Sequence, residues 1–265
     1  MTRISIVTLS FNQAKFLEQA ILSIITQDYT DVEYIVVDPG STDGSRDLIE
    51  RYRSRISKVI LEPDRGAADG LNRGFAEATG DIFGFINADD FLMPGALGRV
   101  AEFFDSNPKC GMLMGNGYIV DADRRVRRHV KTTEFTVRRS LYGGTRWLQQ
   151  STFFRSEAFR SSKGFNIENR TSWDGELFIS FLEMGSVIGY TNEDLGCFRI
   201  HGESLSGSGR LNHLYFRDCK RIFRQIMGRD WCLIDEGLRL LYRCEQLLLR
   251  LWQWLKTTGE RKQSV

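Results

Sequence analysis

Five cysteines, three histidines and four prolines in 265 residues are a thin supply, and each shortage closes a class of protein. The cysteines (Cys110, Cys197, Cys219, Cys232, Cys244) are odd in number, widely separated and contain no C-x-x-C pair. That argues against a disulfide framework and a structural zinc site, and suits a reducing cytosol. The histidines form no cluster in the sequence on which a metal centre could be built. No apolar run approaches the roughly 20 residues that cross a bilayer. The opening MTRISIVTLSFNQ is too short and too polar for a signal peptide, and reads as a buried strand. Neither sign of charge dominates, since 36 Lys and Arg face 34 Asp and Glu, so no overall field attracts nucleic acid. The pattern G-x-x-x-x-G-K-[ST] is missing and no G-x-G-x-x-G follows the first strand, so neither a P-loop nor a dinucleotide fold finds support.

What remains is an ordinary globular composition, 42% hydrophobic and 26% charged, without internal repeats or low-complexity segments. Ile4, Ile6 and Val7 lead into polar Ser10 and Asn12, after which Phe16, Leu17, Ala20, Ile21, Ile24 and Ile25 recur at helical spacing. The same order returns three times. YIVVD (34–38) precedes the turn-rich PGSTDGS and a helix through Leu48, Ile49 and Tyr52. KVILEP (58–63) precedes a helix through Leu71, Phe75 and Ala78, stopped at Gly80. DIFGFIN (81–87) precedes a helix from Gly95 to Phe104. Such alternation predicts an α/β fold with a mostly parallel central sheet flanked by helices. Beyond residue 110 it gives way to a hairpin turning at Asp121 to Arg124, a short strand STFFR (151–155), and from Arg210 a helical extension with a polar tail, TTGERKQSV.

In a parallel sheet ligands bind beyond the carboxyl ends of the strands. Those ends carry Thr8, Ser10 and Asn12, then Asp38, then Asp64 and Arg65, then Asn87, Asp89 and Asp90. The stretch FGFINADD (83–90) poses the sharpest question, because two adjacent aspartates at the end of a buried strand repel each other. A divalent ion, Mg²⁺ or Mn²⁺, bridging them to substrate phosphates would offset that repulsion. The plainer alternative is that Asp89 and Asp90 cap the next helix. Asp38 and Asp64 are suited to a nucleoside's base or ribose, and Arg65 either to phosphate or base or to a surface ion pair.

The ordered segments TLSFNQ, YIVVDPGSTDGS, LEPDRGAADGLNRGF, FINADD and WDGE resemble the family 2 glycosyltransferases, over about residues 3–204. The resemblance implies a GT-A, Rossmann-like fold and an inverting transfer of sugar from a nucleotide-diphosphate donor to an acceptor hydroxyl, as in surface polysaccharide or glycolipid synthesis. By the same resemblance, Thr8, Ser10, Asn12, Asp38, Asp64, Arg65 and Asn87 bind the nucleotide, and Asp89 holds the metal. FRIHGESLSGS is similar to the family's R-x-H-x-x-S tail, placing His201 at the metal or diphosphate, with an exposed loop histidine as the alternative. QQSTFFR places Gln149 at the acceptor. WDGE supplies Asp174 as the general base, with Glu176 beside the acceptor. An N-cap role is the alternative for Asp174, and a helix N-terminus would lower its pKa and weaken it as a base. Departures from the family pattern are Pro39 and Gly175, Gln150 where proline is common, and Asn166 where aspartate is common.

These readings divide the chain into a nucleotide-sugar half (1–110), an acceptor half with the base (111–206) and a helical extension (207–265). In the extension, Glu236, Arg239, Arg243, Gln246, Arg250 and Gln253 form one narrow polar stripe on an otherwise apolar helix. The body of the enzyme, a second copy, or a membrane interface reached by Trp252 and Trp254 must cover the remainder of 233–256. The basic run RRVRRHVK (124–131) reads as a solvated hairpin or as a contact for the phosphate of a lipid-linked acceptor. The expected setting is cytoplasmic, at the membrane face if that helix meets lipid, and the expected acceptor a carbohydrate or a lipid-linked sugar. Two other functions fit an acidic nucleotide crevice. A sugar-phosphate nucleotidyltransferase would need a glycine-rich basic loop after the first strand, where only Lys15 stands. A non-catalytic sugar-nucleotide sensor would not need Asp89 and Asp174.

Overall fold

The computed structural model describes residues 1–202, 204 and 210–263, the last fourteen as backbone only. Strand and helix alternate as expected in the first part: β1 (Ile4–Leu9), α1 (Ala14–Ile25), β2 (Val32–Val37), α2 (Ser45–Arg51), β3 (Lys58–Ile60), α3 (Ala67–Ala76) and β4 (Ile82–Asn87). A two-residue strand, β5 (Phe91–Leu92), intervenes before α4 (Ala96–Ser106). Asp89 and Asp90 therefore do not cap α4. Gly95 does, at a φ of 69° that a side chain would strain. Next come β6 (Cys110–Val120) and β7 (Val126–Val130), the expected hairpin, then α5 (Val137–Leu141), β8 (Thr152–Arg155), α6 (Ser156–Ser161), α7 (Trp173–Glu183), β9 (Val187–Arg199), α8 (Asn212–Met227) and α9 (Leu233–Gln263). The expected polar tail is helical as far as Gln263.

One sheet runs through the molecule in the order β3-β2-β1-β4-β8-β6-β9-β5, with β7 on β6. β1 pairs parallel with β2 and β4, and β2 with β3, as expected. The rest is mixed, because β8 is antiparallel to β4 and β6 while β9 is parallel to β6. Thirteen-residue β9 has no counterpart in the sequence reading. Its segment VIGYTNEDLGCFR lacks the alternation that marks a half-buried strand, and two glycines break it. Gly196 stands so close to Gly117 on β6 that a Cβ on Gly117 would lie 2.1 Å from its carbonyl oxygen.

Each face of the sheet buries its own apolar cluster. Ile4, Ile6, Tyr34 and Val36 meet Leu17, Ile21 and Ile24 of α1 and Leu97, Val100 and Phe104 of α4. Val7, Ile35, Val37, Phe83 and Phe85 meet Leu71 and Phe75 of α3, Phe159 of α6, and Trp173, Leu177, Phe178 and Phe181 of α7. Period-2 alternation along β1 divides its side chains between these clusters.

Candidate active site

At the ends of β1 and β2, the chain leaves the sheet with polar groups only partly used. Asp38 is fully buried. One of its carboxylate oxygens accepts from the Gly40 amide (3.1 Å), the Ser41 amide (2.8 Å) and Arg46 Nε (3.1 Å). Burial alone would raise its pKa, but Ser41, Arg46 and Gly40 outweigh it and hold the carboxyl below the usual range. Its other oxygen and the hydroxyl of buried Ser10 have no partner among the described residues. Since Leu9 pairs with Val37, these two unsatisfied groups leave neighbouring strand ends side by side, and a buried polar atom of this kind calls for a ligand or water. Asn12, at a φ of 51°, joins the same loop: its amide donates to Ser41 Oγ (2.8 Å) and its Oδ1 accepts from the Thr42 amide (2.9 Å). The Thr8 hydroxyl points elsewhere, accepting from Tyr34 inside the sheet (3.1 Å).

Asp64 stands within electrostatic reach of Asp38. Its pKa is raised by burial and, beyond that, by the charges of Asp69 and Asp38, against a lowering bond from the Gly66 amide. Arg65 is mostly exposed and turns back on Asp69, 3.5 Å away, while its carbonyl accepts from Arg170 (2.6 Å). That bond ties the loop after β3 to the loop that leads into α7.

The two aspartates of FGFINADD part company. Asp90 goes inward, 1% exposed, and accepts from the Arg199 amide (2.8 Å), Gln150 Nε2 (2.6 Å) and Asn87 Nδ2 (3.2 Å). Burial and then the neighbouring charge of Asp89 push its pKa well above the usual carboxylate range. Asp89, its side chain 13% exposed, turns instead to His201, whose Nε2 lies 3.1 Å from its Oδ2. The His201 ring is nearly buried and lies 4.6 Å, centroid to centroid, from Phe16 of α1, so it is no exposed loop histidine. Arg199, fully buried beneath them, binds the Asp89 carbonyl (2.6 Å), the Ala122 carbonyl (2.9 Å) and Gln19 (2.6 Å), and spans the rings of Phe16 and Phe91.

Among the described residues no three His, Cys, Asp or Glu side chains stand together as a metal cluster. One ion bridging both aspartates of FGFINADD does not fit this arrangement, because Asp90 is spent on protein donors. Asp89 and His201 remain as a pair, one hard oxygen and one imidazole. That set fits Mg²⁺ or Mn²⁺ whose other ligands are substrate phosphates and water.

On α7 the helix begins after Ser172, so Asp174 lies in its first turn and is not its cap. Trp173 packs on Phe85 of β4 (5.5 Å), which brings the start of α7 to the strand ends. Asp174 accepts from the Gly175 amide (2.8 Å). Burial drives its pKa up to about 6, overriding the lowering effect expected of a helix N-terminus. Glu176 is committed elsewhere, to a two-pronged pair with Arg221 of α8 (2.7 and 2.6 Å) and to bonds from Asn166 (3.0 Å) and Asn169 (2.7 Å). Burial opposes ionisation, but these donors hold its pKa below the usual value. Gln149 donates to the Phe85 carbonyl (2.6 Å), while its buried Oε1 has no partner among the described residues.

Two departures from the family pattern acquire physical reasons. Gln150 donates to Asp90, which proline cannot do. Asn166 donates to Glu176, where aspartate would add a like charge. At Gly175 a Cβ would make only an ordinary contact with the Trp147 ring, 3.8 Å away, and nothing in the structure explains the glycine. Arg46, Arg170, Asp218 and Arg221 escaped the sequence reading. Their partners lie 8 to 105 positions away in the chain, and no local pattern signals such pairs.

A family model described as Glycosyl transferase family 2 matches residues 5–166, ending before Asp174. An uncharacterized glycosyltransferase of Nostoc sp. is 29% identical over 211 residues, 76% of this chain, and the chain spans only 65% of its length. A putative teichuronic acid biosynthesis glycosyltransferase, TuaG of Bacillus subtilis, is 24% identical over 239 residues, 88% of this chain and 93% of its own. Among solved structures, S. aureus TarS 1–349 with UDP has a TM-score of 0.67 at 19% identity, covering 90% of this chain and 69% of TarS. The mannosyltransferase PcManGT of Pyrobaculum calidifontis, with GDP-Man and Mn²⁺, has 0.66 at 16%, covering 91% and 69%. At these identities the two structures establish a shared GT-A fold.

Proposed function

The chain belongs to the family 2 glycosyltransferases, and from that premise we propose that it transfers a sugar from a nucleotide diphosphate to an acceptor hydroxyl with inversion, using a divalent ion. The observation that carries the proposal is the half-buried Asp174, its pKa near 6, on a helix held against the strand ends that carry Asp38, Asp64 and Asp89. A carboxylate with that pKa is ionised at neutral pH yet basic enough to take a proton from a hydroxyl as it attacks.

In this reading the nucleoside sits against Ser10, Asn12, Asp38, Asp64, Arg65 and Asn87. The unpartnered Ser10 Oγ and Asp38 Oδ2 bond to it, and Thr8 contributes backbone only. Asp89 and His201 would hold Mg²⁺ or Mn²⁺, which when bound neutralises charge on the departing diphosphate. Asp90 and Arg199 fix the backbone that carries Asp89. Gln149 offers its free Oε1 toward the sugar or the acceptor, and Glu176 positions α7 through Arg221. Residues 1–110 thus serve the donor, 111–206 the acceptor, and 207–265 brace the base. The five cysteines, all free, agree with a cytoplasmic setting. Names among the relatives, teichuronic acid biosynthesis included, favour an acceptor in surface polysaccharide or glycolipid synthesis.

The test is a donor screen. Purified chain is offered a panel of nucleotide-diphosphate sugars with Mg²⁺, with Mn²⁺ or with chelator, and free nucleoside diphosphate is measured. Metal-dependent release from one donor supports the reading. Release unaffected by chelator overturns the Asp89–His201 assignment, and no release from any donor favours a sensor.

A further inference from the structure

The last helix presents a face that the rest of the described residues do not cover. On α9, Leu233, Ile234, Leu240, Leu241, Leu247 and Leu248 are 89, 73, 62, 66, 55 and 66% exposed. At about 100° per residue these six, with Gly237 and Cys244 between them, fill one continuous arc about 140° wide. The helix cannot roll to hide it, because polar locks fix its opposite side to the body. Asp235 is fully buried, paired with Arg229 (2.6 Å) and bonded by the Tyr142 hydroxyl (2.7 Å). Gln246 donates to the Gly144 carbonyl (2.7 Å), Tyr242 stacks on Tyr142, and Arg139 pairs with Glu245 (2.8 Å). The polar stripe read from the sequence is thus split. Gln246 faces the protein with Arg239 next to it, exposed Glu236 and Arg243 border the apolar arc on one side and Glu245 on the other, and the side chains of Arg250, Trp252, Gln253 and Trp254 lie outside the described residues.

Charge identifies what covers the arc. Residues 207–265 carry twelve Lys and Arg against six Asp and Glu, whereas residues 1–206 carry 24 against 28. A net-negative body with a net-positive apolar end is matched to an anionic surface that is itself apolar below its headgroups. Three adjacent rows of apolar side chains are also wider than the two-row seam of a paired coiled coil. Among the described residues no helix is long and apolar enough to cross a membrane. We propose that α9 lies in the surface of an anionic lipid bilayer, its leucine arc inserted and its arginines at the headgroups. The chemistry would thereby take place beside the membrane.

The inference does not rest on the transferase reading, and its test needs no turnover. The full chain is sedimented with vesicles of phosphatidylcholine, and with vesicles containing about 30 mol% phosphatidylglycerol, where partition about tenfold stronger and weakened by salt is expected. The triple variant Leu240→Ser, Leu241→Ser, Leu248→Ser alters exposed positions only, and should lose partition while keeping its circular dichroism and monomeric mass. Undiminished partition of that variant overturns the proposal, as does wild-type chain that ignores both vesicles. A wild-type dimer that the triple variant turns into a monomer, without lipid binding by either, identifies a second copy as the occupant instead.

Discussion

The end of β4 and the start of α7 solve the same problem with opposite electrostatics. Each carries two carboxylates within three positions, Asp89 with Asp90 and Asp174 with Glu176, and in each one group is pinned while the other is left nearly bare. At β4 the pinned Asp90 is held by amide donors, and burial keeps its pKa high. At α7 the pinned Glu176 is held by the Arg221 guanidinium, which keeps its pKa low. The other two members differ as well, for Asp89 has His201 within reach whereas Asp174 accepts from the Gly175 amide and owes its raised pKa to burial. In the reading proposed above, one site meets a metal-bound anion and the other receives a proton. Two acids in a short stretch are not one motif, and their roles follow from what each side chain can reach.

Breaking the α7 pair on its bare side has the largest expected effect. Asp174→Asn removes the base and should lower kcat about 10³-fold or more, with the fold intact by circular dichroism. On the β4 side, Asp89→Ala should cost about 10²- to 10³-fold in nucleoside diphosphate release, while nucleotide binding measured by calorimetry without metal changes little. Below pH 6 the rate should fall about tenfold per pH unit as Asp174 takes up its proton, and a profile flat to pH 4.5 would remove Asp174 from the role.

The pinned members act on stability more than on rate. Arg221→Met leaves Glu176 half-buried without its cation and should cost about 3 kcal/mol, seen as a lower Tm. Smallest is a stabilising change at Asp174 itself. Its folded pKa lies above the ordinary value, so folding favours the protonated form. Stability from this group is complete below the ordinary carboxylate range and is lost as pH rises through about 6. Asp174→Asn should therefore raise Tm at pH 7.5, by an amount equivalent to about 1 to 2 kcal/mol, and leave it unchanged near pH 3.5.

How much of this was legible depends on range along the chain. β1 to β4, their helices and the polar character of their ends follow from local periodicity, and so does α7. β9 did not, because its pairing with β6 is set by contacts over 70 residues apart and glycines blur its pattern. The motif order suggested Asp38 as a ligand-facing carboxylate, and a half-satisfied one it is. By contrast, the hydroxyl of Thr8 turned inward, where it accepts from Tyr34 on the neighbouring strand, a partner 26 positions away that no local pattern announces. The apolar remainder of α9 could be recognised from sequence as needing a cover. Which side the body took depended on Asp235 and Gln246 finding partners in the loop around Tyr142 and Gly144.

By itself, then, the order of residues determined the α/β alternation, the acidic strand ends and the family, because these depend on spacing within one element or on short motifs. Only the folded chain decided which aspartate is spent on amide donors, which carboxylate of α7 is held by an arginine and which side of the last helix is left bare among the described residues. Those outcomes turn on burial and on donors from distant segments, and neither exists until the sheet has assembled.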